Sequence, residues 1–158
     1  MLRPLAAVLA AAALVAASAG CGGSGDEEAM TVGDYRAAAA EICRDAKQAT
    51  APLIQRSPAT DREYRDMLEE LVELNEEPRE RLADLEPPEE LRAAHRDLLA
   101  AHDLAVELTG KIVERLEAGE TRQAIFRRGP TGRQLVEVGR RRDEAARRLG
   151  VRDCASAA

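Results

Sequence analysis

The chain has 158 residues and a formal charge of −6, with 45% hydrophobic and 33% charged residues. This length and balance fit one ordinary globular domain. An acidic total argues against general nucleic-acid binding. Aromatic residues make up only 2%, with no Trp, so a site that stacks sugars or nucleobases is not expected. Alanine, leucine, glutamate and arginine dominate, a composition that favours helices over sheets.

Residues 1–20 read as a signal peptide. Arg3 supplies the positive start, and the run from Leu5 to Ala17 contains only Ala, Val and Leu. That run is shorter than the roughly 20 residues a spanning helix needs. Ser18, Ala19 and Gly20 then lead into Cys21. This stretch resembles the lipobox of bacterial lipoproteins. The resemblance implies transfer of a diacylglyceryl group to the Cys21 sulfur and cleavage between Gly20 and Cys21. Ser18 stands where the pattern usually carries an aliphatic residue. Ala17-Ser18-Ala19 is also an acceptable site for an ordinary signal peptidase, which would release a soluble protein beginning at Gly20. Residues 21–30 follow as the lipidated cysteine and a flexible tether that includes Gly22-Gly23-Ser24-Gly25. Removing residues 1–20 takes away Arg3 alone among the charged residues and leaves −7.

Residues 31–158 carry the expected domain, all-α, in four helical stretches. Thr31 with Asp34 marks the first helix start. Tyr35, Ala39, Ile42, Ala46, Ala49 and Leu53 recur at four-three spacing on one face, with Cys43 beside them. Pro52 is expected to end or kink this helix. Thr60 with Glu63 repeats the cap, and Tyr64, Met67, Leu68, Leu71, Val72 and Leu74 form the next apolar stripe. Leu82 and Leu85 continue it beyond a kink expected at Pro78. Pro87-Pro88 opens the third helix, expected from about Glu89 to Ala118, with Gly119 as its cap. Leu91, Leu98, Ala105 and Ile112 repeat there every seven residues, with Ala94, Ala101 and Leu108 between them. A short helix from near Glu120, a break at Gly129-Pro130, and a final helix over about 132–149 complete the set. Leu135, Val138, Ala145 or Ala146, and Leu149 are expected to face inward, and Gly150 to stop the helix, with Cys154 on a short tail beyond it. Such stripes on consecutive segments with short connections predict an up-down-up-down four-helix bundle.

The charge is polarised. Residues 61–90 hold thirteen carboxylates against four arginines, and residues 122–152 are rich in arginine. Complementary solvated faces explain this. An arginine face resting on anionic lipid is the alternative.

The domain resembles small alanine- and arginine-rich lipoproteins of high-GC Gram-positive bacteria. The shared features are Cys43 in the first helix, the Pro87-Pro88 break, and Leu149-Gly150 followed by Cys154. The resemblance implies an extracytoplasmic setting at the cell membrane and assigns no site. Export favours disulfides, and lipidation of Cys21 leaves Cys43 and Cys154 as one pair. The expectation is a disulfide stapling the first helix to the C-terminal tail. Two separate free thiols are the alternative.

Little in the sequence carries catalytic chemistry. No G-x-S-x-G elbow, Walker loop or Rossmann glycine pattern occurs, so no enzyme activity and no cofactor are expected. His95 and His102 lie seven apart on one helix and are weak candidates for a metal site. Di-iron bundles need Glu-x-x-His on two helices, and here Arg92 and Leu99 precede the histidines. The expected function is a non-enzymatic, envelope-anchored binding or interaction module. Its partners would be the membrane, through the N-terminal lipid, and a protein or small-molecule ligand. The alternative function is metal handling or sensing through His95 and His102.

Intact mass of the membrane-extracted protein is expected to show a lipid adduct on an N-terminal Cys21. Cys21→Ser is expected to release the chain into the medium. Wild-type protein found wholly in the medium would contradict the anchor.

Overall fold

The computed structural model describes residues 30–156. The signal peptide over 1–20, Cys21 and the tether up to residue 29 lie outside the described residues, as do residues 157–158. Five helices follow in order: α1 (Val32–Ile54), α2 (Asp61–Ala83), α3 (Arg92–Glu117), α4 (Arg122–Arg128) and α5 (Thr131–Leu149). Among the described residues there is no strand. The architecture is all-α, an up-down-up-down arrangement in which α4 is a short prelude to α5.

Local chemistry fixes the helix ends. Thr31 accepts from the Asp34 N–H, and Thr60 with Glu63 forms a full capping box. Thr121 caps α4 through the Ala124 N–H, a start signal that places this helix two residues later than expected. Gly119 and Gly150 have φ of +85° and +75°, the left-handed region that favours glycine. The Gly119 and Glu120 N–H groups donate back to the Leu116 and Arg115 carbonyls, which closes α3. At Gly150 a Cβ would also stand 2.8 Å from Arg36 Nε. That nitrogen donates to the Leu149 carbonyl at 2.8 Å and ties α1 to the end of α5.

At three places the helix bounds sharpen the expectation. Pro52 does not end α1, which continues to Ile54. A proline so close to a helix terminus frees one carbonyl near the frayed end, where the loss is small. Pro78 lies within α2, which runs on to Ala83 and carries Leu82 beyond the proline. Residues Glu89–Leu91 form a separate 3-10 turn, and α3 begins at Arg92.

Packing follows chain order. α1 lies on α2, α2 on α3, and α3 along α5. α1 meets the C-terminal end mainly through a final 3-10 turn, Arg152–Cys154. Two solid cores result. One joins Tyr35, Ala39 and Ile42 of α1 to Leu98 of α3, Leu149 of α5 and Val151. The other sits at the opposite end and joins Leu68, Ile112, Leu116 and Ile125. Tyr64, Met67 and Phe126 flank it, with the Tyr64 and Phe126 rings edge to face at 6.3 Å.

A Cys43–Cys154 disulfide, with Cα atoms 5.0 Å apart, clips the tail onto α1 across 111 residues. Loop-closure entropy for so long a loop is worth about 4–5 kcal/mol. Chemical denaturation of Cys43→Ala/Cys154→Ala is expected to show a loss of about 3–5 kcal/mol against the oxidised wild type. Equal stability of the two would contradict the staple.

Candidate ligand groove

Between the two solid ends the bundle is hollow. A groove of about 490 Å³ opens among α1, α2, α3, Arg142 of α5 and the tail. Its cause lies in the residues at the middle layer. Ala46 and Ala51 on α1 and Ala105 on α3 occupy lining positions where a filled bundle would carry larger side chains. Leu71 and Val72 line the void from α2 and stay half-buried. Ile54, on its rim, is 67% exposed.

The polar groups in the walls are mostly turned inward on their own helices. Thr50 Oγ1 donates to the Ala46 carbonyl at 2.8 Å, and Thr109 Oγ1 donates to the Ala105 carbonyl at 2.8 Å. Asn75 Nδ2 donates to the Leu71 carbonyl at 2.7 Å. These bonds use both hydroxyl protons and one of the Asn75 amide protons within the helices themselves. Arg79 donates twice to Asp103, at 2.9 and 3.0 Å, and so links α2 to α3 beside a shallower cleft of about 320 Å³. His102 and Val106 line both the groove and that cleft.

Arg142 is the exception. It enters the groove wall from α5, and its Nη2 donates to Ser156 Oγ at 2.5 Å. Its Nε is buried without a hydrogen-bond partner among the described residues. Such an orphaned donor costs about 1–3 kcal/mol.

The two sequence-predicted histidines do not converge. His95 is buried in the first core, where the Tyr35 hydroxyl lies 2.8 Å from its Nδ1. The hydroxyl donates when the imidazole proton is on Nε2. His102 stands roughly 10 Å further along α3 and faces the groove. Among the described residues, no group of three His, Cys, Asp or Glu side chains could hold a metal ion. Cys43 and Cys154, expected as a staple, also form part of the groove wall. Cys21 lies outside the described residues.

Burial keeps these groups neutral. Desolvation pushes the Tyr35 hydroxyl up to about 12. The same effect lowers the His95 pKa, with Arg96 acting in the same direction. His102 is lowered by desolvation first; Asp103 opposes this, and Arg142 and Arg79 add to it. The Arg142 charge is therefore felt at His102.

The polarised charge resolves mostly into local pairs. On α5, Arg140 and Arg141 both bind Glu137, which holds that carboxyl down at about 2. Arg148 reaches Asp97 of α3 at 2.6 Å. On the acidic side, Arg81 spans to Asp45 of α1 and Arg122 to Asp61. These exposed pairs each contribute little to stability.

Arg142, Thr50, Asn75 and Thr109 were not singled out from the sequence. The readable signal was polar residues interrupting apolar stripes, next to a layer of alanines. Comparison with known protein families, with curated proteins and with solved structures finds no match.

The histidines set the pH response near neutrality. Their folded pKa values lie below the unfolded value of about 6.5, so unfolding takes up protons as pH falls. The stability they contribute is fully present above about 6.5 and is lost on acidification below it. Denaturation at pH 7.5 and 5.5 is expected to show a less stable protein at 5.5. His95→Gln, whose amide oxygen still accepts from Tyr35, is expected to lose less. An equal loss in both proteins would contradict this assignment.

Proposed function

We propose that this chain is an envelope-anchored lipoprotein whose helical domain is a non-enzymatic binding module, with the groove as its ligand site. The observation that carries the reading is a preformed, largely apolar void of about 490 Å³ at mid-bundle. That volume falls in the range of small-molecule sites, which are concave, mostly apolar and carry few polar anchors. A void that served no ligand would be a standing loss of packing in a small domain. The groove walls present no nucleophile paired with a base, so binding rather than turnover fits their chemistry. Cys21 supplies the anchor in this reading, and the Cys43–Cys154 bridge suits an oxidising compartment outside the cytoplasm. Among the described residues, no helix is long and apolar enough to cross a membrane.

The test is to fill the void. Ala46→Leu with Ala105→Leu is expected to raise stability by about 1 kcal/mol. The same pair is expected to weaken binding of the neutral apolar probe N-phenylnaphthylamine tenfold or more, read by its fluorescence. Failure of the wild type to bind the probe, or unchanged binding in the filled variant, would overturn the groove as a ligand site.

A further inference from the structure

The geometry points to a ligand class for this groove: a single-chain amphiphile with an anionic head, its head at Arg142 and its chain along α1. The inference rests on the groove being a ligand site.

The head-group end follows from uncompensated charge. Of the charged groups in the groove wall, Arg79 is committed to Asp103, and Asp153 faces Arg44 at 3.8 Å. Arg142 pairs with no carboxylate among the described residues; its one bond, from Nη2, goes to a neutral hydroxyl. Its Nε is buried without a partner, so that charge is not compensated from within the wall. His102, beside it, is held neutral by burial and offers a ring nitrogen. Lys47 stands exposed on the α1 side and adds positive potential. A carboxylate or phosphate oxygen is the acceptor this arrangement lacks. A planar guanidinium suits either anion, and Nη1, which makes no hydrogen bond among the described residues, is the nitrogen that meets it.

The body of the ligand follows from the walls. The α1 side from Ile42 to Ile54 runs roughly 18 Å at 1.5 Å per residue. Opposite it lie Leu71, Val72, Leu98 and Val106. Thr50, Asn75 and Thr109 each return a donor to their own helices, and no charged residue lines the far end, where Ile54 and Gln55 stand. With few aromatic side chains in the sequence, the lining is aliphatic and suits a flexible alkyl chain.

The test uses the full chain carrying Cys21→Ser. Bound N-phenylnaphthylamine is displaced with dodecanoate, dodecyl phosphate, dodecanol and dodecyltrimethylammonium, each below its aggregation threshold. At least one anion is expected to displace the probe at about tenfold lower concentration than the alcohol, and the cation to be weakest. Tighter carboxylate would mark a free fatty acid as the source, and tighter phosphate a lysolipid head. The anion–alcohol gap is expected to close in Arg142→Gln and to persist in Arg142→Lys. Each added methylene is expected to tighten binding roughly fourfold until the groove is full. Equal displacement by anion and alcohol, or preference for the cation, would overturn the head-group assignment while leaving the groove intact. Probe binding that no dodecyl compound disturbs would overturn the single-chain class. Absence of probe binding would instead remove the underlying site. If Arg142→Gln fails to fold, the wild-type order of anion, alcohol and cation still decides.

Discussion

The bundle depends on how its last turn is tied to its first helix. α1 packs directly on α2, but it meets the far side of the molecule chiefly through the turn that carries Cys154. The bridge to Cys43, the Arg36 bond to the Leu149 carbonyl and the buried Tyr35–His95 contact all act on the first half of α1. That half is held by covalent, charged and apolar contacts together. The second half, beyond Cys43, has α2 beside it and fewer large side chains to bring to α3 and α5. The molecule is therefore solid at the disulfide end and hollow above it. A groove can persist in a small protein only if its frame is rigid, because an unsupported void collapses to recover packing.

Polarity within the frame follows the same economy. Thr50, Thr109 and Asn75 could have made the groove wet, but each returns a donor to its own helix. Arg79 and Asp103 neutralise one another across the mouth between α2 and α3. What remains is one guanidinium with a buried, unpartnered Nε, with the exposed Lys47 on the α1 side. Desolvation keeps both histidines from adding positive charge near neutrality. The site thus separates into an apolar length and a single positive end.

Much of the architecture was legible because it rests on local rules. Capping at Thr31 and Thr60, the glycines at 119 and 150, and the break at Gly129-Pro130 are signals that act within a few residues. Tyr35, Ile42, Leu98, Ile112, Val138 and Leu149 are buried as their spacing predicts. The disulfide was reached from cysteine parity, and the structure forms it. The groove was not reached, because periodicity reports which face a residue occupies and not whether the facing layer is filled. Ala46, Leu71, Val72 and Ala105 were read as core; they line a void. Ala49 is exposed and Thr50 buried in its stead, since a helix of 3.6 residues per turn drifts off a strict four-three seam. Arg142 was one arginine among many, and only tertiary packing sets it apart. His95 and His102 shared a face as expected, but burial and the Tyr35 contact divided their roles.

The central claim is that the middle of the bundle is a standing, largely apolar void rather than a collapsed seam. Xenon settles in preformed apolar recesses. Crystals of the oxidised protein under xenon pressure should show the gas between Ala46, Leu71, Val72 and Val106, with the helices in place. Crystals without xenon there, with α1 closed onto α3, would contradict the account.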